Sequence, residues 1–117
     1  MRTLLDAGFG YWGIRRADEP DQTTSLIARL RVSEGPLQAV VWDTRSSAWR
    51  FSPGMAAHFL YEASNFQRSV SLDRPSAEDV ARNHLGTELP SEEELRKICA
   101  EGLSRWDREN DPDGFLP

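Results

Sequence analysis

Arg29, Arg31 and Arg50 are the residues whose type and spacing first suggest chemistry. Arg29 and Arg31 alternate along a strand-like stretch, so both side chains leave the same face, and Arg50 lies on the outward side of a candidate hairpin, meeting them if the strands are neighbours. A guanidinium is planar and permanently charged, with its donors set in a fork. Three of them converging would grip a carboxylate, a phosphate or an acidic partner. The plainer reading is a solvated sheet face, neutralised by Asp43 and by the acidic helices of the same chain.

His58 and Glu62 stand four apart in a helical pattern and so share one face, where they could work as an acid/base pair or as two metal ligands. A structural metal normally takes four ligands. His84 and Cys99 are the other strong donors, and they fall in separate helices without ligand spacing, so neither a metal nor another cofactor is expected. His58 and Glu62 are then the only catalytic candidates, because one Cys on an apolar stripe and no Gly-x-Ser-x-Gly string give little basis for a nucleophile.

Two strings imitate known sites. Gly8-Phe9-Gly10-Tyr11-Trp12-Gly13 is a literal G-x-G-x-x-G, but no helix signal follows it and three aromatic residues would crowd a phosphate. It reads better as a strand with buried rings. Glu109-Asn110-Asp111-Pro112-Asp113-Gly114 spaces oxygen donors like half a calcium loop, yet it lacks the closing Glu. A further candidate surface is acidic: Glu88, Glu92, Glu93 and Glu101, on or beside the last helix, would steer the chain towards a basic protein partner.

The elements that must position these residues follow from a change of hydrophobic period. Gly8 to Arg16 and Thr24 to Ser33 read as strands. Leu37 to Asp43 and Ala48 to Phe51 read as a hairpin closed by Thr44-Arg45-Ser46-Ser47. In the expected register Asp43 faces Ala48, Trp42 faces Trp49, Val41 faces Arg50 and Val40 faces Phe51. That register puts Val40, Trp42, Trp49 and Phe51 on the core side and Val41 and Arg50 on the outward side.

After Phe51 the period turns helical, with Ser52 as cap, Pro53 at the first position and an apolar stripe to about Ser64. A short strand over Arg68 to Leu72 precedes two helices. Their capping boxes are Ser76 with Asp79 and Ser91 with Glu94, and Gly86 is the stop between them. Leu95, Ile98, Cys99, Gly102, Leu103 and Trp106 form the buried stripe of the last helix. The expected fold is α+β, with an antiparallel sheet of three to four strands in the N-terminal half packed with about three helices in the C-terminal half.

The chain has 117 residues, 14 basic and 19 acidic, and a net charge of −5. That length suits one domain, drawn as residues 1–106 with an acidic tail over 107–117. Residues 1–58 carry seven bases against six acids, whereas residues 59–117 carry seven against thirteen. An acidic chain argues against generic nucleic-acid binding, which relies on neutralising phosphates. No apolar run reaches membrane-spanning length, and one Cys suits a reducing compartment, so a cytoplasmic protein is expected. Only Lys97 interrupts an otherwise all-Arg set of bases, which fits a bacterial genome rich in G and C.

The function these residues favour is a small acidic protein-binding module, non-catalytic, of the kind that neutralises a toxin or serves as an adaptor or accessory subunit. The alternative is a binder or enzyme for a small anion using the sheet-face arginines with His58 and Glu62. Assembly of copies through an exposed strand edge is a third class.

Overall fold

The computed structural model describes residues 8–16, 18–19, 21–32, 37–62 and 68–110, the last five as helix backbone only. The order is β1 (Phe9–Arg15), β2 (Thr23–Leu30), β3 (Ala39–Asp43), β4 (Ala48–Phe51), α1 (Pro53–Tyr61), β5 (Ser69–Leu72), α2 (Arg74–Val80), one π-helical turn (Ala81–Leu85) and α3 (Glu92–Asn110). The class is α+β. The sheet has five strands, one more than the upper expectation, in the order β4-β3-β2-β1-β5. Every neighbouring pair is antiparallel.

The hairpin has the register its sequence predicts, from Val40 opposite Phe51 to Asp43 opposite Ala48. Trp42 and Trp49 pack with ring centroids 5.2 Å apart. Asp43 shapes the turn by accepting the Arg45 N–H at 3.0 Å, and Ser47 takes the left-handed backbone at φ 53°. β5 joins the far edge beside β1 because α1 carries the chain back across the sheet.

Both faces of the sheet are covered. On one, Phe9, Tyr11, Leu26, Ala28, Leu30 and Val40 meet Ala77, Ala81, Leu89, Leu95 and Cys99 from α2, the π turn, the segment after it and α3. On the other, Ile14, Ile27, Ala39 and Val41 meet Ala56, with Trp12, Phe59 and Leu60 alongside. The face of Arg29, Val41 and Arg50 is therefore not the open surface that strand alternation suggests. Ala39-Val40-Val41-Trp42 is apolar at every position and buried at every position, the mark of a strand covered on both sides.

Of the expected caps, Ser52 holds its position at α1 without a side-chain bond, and Ser76 is replaced. Ser52 makes no side-chain bond at the start of α1, which is held by the Ala56 N–H donating to the Ser52 carbonyl at 3.1 Å. α2 starts earlier than Ser76: Asp73 is its cap and its Oδ1 accepts the Ser76 N–H at 2.9 Å. Pro75, in the first turn, lacks an N–H that would otherwise need a partner there. Ser91 does cap α3, accepting the Glu94 N–H at 3.1 Å, and Gly86 ends the π turn at φ 68°. α3 continues through Asn110, past the expected start of the tail, and residues 111–117, with most of the calcium-like string, lie outside the described residues.

Candidate functional site

Among the described residues β4 is one edge of the sheet, and one side of its backbone has no partner strand. The Ser52 N–H donates to the Ala39 carbonyl at 3.0 Å, in register with Val40–Phe51. Alternation in an antiparallel ladder then makes Arg50–Val41 and Ala48–Asp43 the bonded pairs and turns the N–H and C=O of Trp49 and Phe51 away from the sheet. Such an edge is a template for another strand.

Beside that edge runs an open groove of about 640 Å³, walled by Ala48 to Gly54 on one side and by Ile98, Glu101, Gly102 and Arg105 of α3 on the other. Gly102 allows the wall to stand this close. A Cβ there would lie 2.1 Å from Phe51 Cγ and 2.5 Å from Phe51 Cβ. Trp49 is pinned by its indole N–H, which donates to the Glu88 carbonyl at 3.2 Å. Trp49 and Phe51 remain half-buried, while Arg50, Glu101 and Arg105 are exposed at the rim.

The structure keeps Arg29 and Arg31 together and sets Arg50 apart. Arg29 faces Ala39 across one ladder and Gly10 across the other. Arg31 leans onto Gly10, where a Cβ would lie 3.2 Å from Arg31 Nε and 2.8 Å from Trp12 Cη2. The missing side chain at Gly10 thus leaves room for a cation and a ring. Arg50 shares this face, but β3 intervenes and the registers differ by two positions, which separates its Cα from that of Arg29 by about 12 Å on standard sheet spacings. Its Nε donates instead to Ser46 Oγ at 3.0 Å and forms an ion pair with Asp43 Oδ2 at 3.1 Å. The Ser46 hydroxyl beside Asp43, more than any other group, holds that carboxyl below its usual range. Arg29 lies over the Tyr61 ring, 5.7 Å from its centre, and its Nε is buried without a hydrogen-bond partner among the described residues.

His58 Nδ1 and Glu62 Oε2 do bond to each other, on the exposed side of α1. The four acidic residues have different surroundings. Glu88 pairs with Arg82 at 3.1 Å, Glu92 turns inward to Tyr11, Glu93 is exposed and Glu101 lies in the groove. Among the described residues no three His, Cys, Asp or Glu side chains cluster to hold a metal, and no helix is long and apolar enough to cross a membrane.

A half-hidden polar network escaped the sequence reading. Arg74 Nη1 donates to the Tyr11 hydroxyl at 2.8 Å, Tyr11 donates to Glu92 Oε2 at 3.3 Å, and Arg74 Nε donates to Glu78 at 3.0 Å. Burial, the largest influence, pushes the Tyr11 phenol above its ordinary value, so it is a strut between β1, α2 and α3 rather than a base. Its one sequence signal is a Tyr on a core face, whose hydroxyl needs a partner once buried. The groove had a signal too: Gly102 in the apolar stripe of α3 marks a close approach. Compared with protein-family models, curated proteins and solved structures, the chain finds no match.

Proposed function

We propose that the protein is a non-catalytic protein-binding module that receives an extended segment of its partner as an added strand on β4, roofed by α3. The observation that carries this reading is the coincidence of outward-turned backbone at Trp49 and Phe51 with the open groove beside them. Strand addition draws affinity from main-chain bonds and specificity from pockets for alternate side chains, and this groove supplies both. The exposed His58–Glu62 pair stands outside the groove lining, which fits a site that holds rather than reacts. The composition, with one Cys and Arg in place of Lys, supports a cytoplasmic bacterial setting.

Amide hydrogen exchange tests it. In the free chain the Trp49 and Phe51 amides exchange fast while those of Arg50 and Ser52, bonded to β3, exchange slowly. Saturation with peptides selected from a randomised displayed library protects Trp49 and Phe51. Protection of those two amides in the free chain, or fast exchange at saturation, removes the reading.

A second reading, an anion binder at Arg29 and Arg31, is favoured by one observation, the buried Arg29 Nε that lacks an acceptor among the described residues.

A further inference from the structure

We infer that the segment added to β4 reads apolar–acidic–apolar, with its acidic residue opposite Arg50. The inference rests on the strand-addition reading and follows from the pleat of β4. An antiparallel segment bonded to the outward groups of Trp49 and Phe51 places one of its residues in a bonded pair with each. Those two side chains leave on the face of Trp49 and Phe51, beneath α3. The wall they meet is Ile98, the small Gly102 and the flanks of the two aromatic rings, so apolar side chains fit there.

The residue between them leaves on the opposite face. It forms a non-bonded pair with Arg50, the arrangement in which opposed side chains come closest, with Cβ atoms about 5 Å apart. Among the described residues only the Nε of Arg50 is engaged, by Asp43 and Ser46, which leaves its two Nη groups for another acceptor, and its side chain is 59% exposed. A carboxylate meets those donors in a charge-assisted bond, whereas Lys or Arg there is repelled. Arg45 in the adjoining turn and Arg105 on α3 add positive charge around the same edge, against Glu101. A second copy of this chain paired about Arg50 would oppose two guanidiniums, which disfavours that self-pairing and leaves a partner's acidic strand as the occupant.

The test uses the full chain as bait for a displayed library of random nine-residue peptides, followed by synthesis of the selected sequences. Asp or Glu is enriched at one position with apolar residues on both sides. Arg50→Glu, whose fold is checked by circular dichroism, weakens a selected peptide by about tenfold or more, and changing the peptide's acid to Lys restores binding to that variant. Peptides that protect the Trp49 and Phe51 amides without an acidic preference, or that ignore the charge swap, overturn this inference and leave strand addition standing. Selected peptides that never protect those amides overturn both. Light scattering of the free chain supplies the last arm, since a dimer whose Trp49 and Phe51 amides are already protected makes the occupant a second copy.

Discussion

Arg29 and Gly102 show how far a residue's role depends on its surroundings. An Arg on a strand face reads as a solvated charge, yet Arg29 lies beneath α1 with Tyr61 over it and, among the described residues, no acceptor for its Nε. A buried unmet donor costs about 1–3 kcal/mol, so an anion that reaches it is bound with that cost returned. If the second reading holds, inorganic phosphate shifts the Nε–Hε resonances of Arg29 and Arg31 and raises the melting temperature. Arg31→Ala abolishes both effects and Arg50→Ala keeps them. Chloride at equal ionic strength producing the same shifts ends that reading. The pair at Gly10 was legible as alternation along β2. The separation of Arg50 was not, because it depends on β3 lying between β2 and β4.

At the scale of elements, the site is made by the approach of α3 to β4. Glycine in a helix interior costs about 1 kcal/mol relative to alanine, so its presence at Gly102 needs a tertiary reason. The reason is Phe51, whose own Cβ would lie 2.5 Å from a new methyl, too near the main chain for a ring rotation to relieve. Gly102→Ala therefore destabilises the fold by about 1–3 kcal/mol in urea denaturation despite its better helix propensity, and it lowers affinity for groove-selected peptides. A stability equal to or above wild type would show that α3 does not stand this close. The elements themselves were largely visible beforehand: the hairpin register followed from matching Trp42 with Trp49, and the α3 cap from Ser91. The start of α2 was misread because Asp73 and Ser76 are both good caps, and only backbone geometry selects between them.

For the whole molecule, two covered faces make the sheet a central layer, and groups sealed in it link stability to pH. Burial pushes the Cys99 thiol up from 9.0 to about 11, and it pushes the Tyr11 phenol above 10. Both groups hold their protons more tightly folded than unfolded. Their contribution is complete below about pH 9 and is lost as pH rises through the folded values, a loss of about 3 kcal/mol for a two-unit shift at Cys99. Urea melts at rising alkaline pH then show falling stability, and the slope flattens in Cys99→Ala whatever that variant's baseline. An unchanged slope would mean the thiol is not buried as described. By itself the sequence determined the class, the strand and helix order, the hairpin register and the apolar stripe of α3, because these rest on local period, capping and cross-strand pairing. Only the tertiary structure decided that α1 covers the arginine face, that β5 joins β1, and that β4 is the sheet edge beside α3 among the described residues. Those outcomes depend on where long loops and a crossover helix bring distant segments into contact, and no local pattern encodes that.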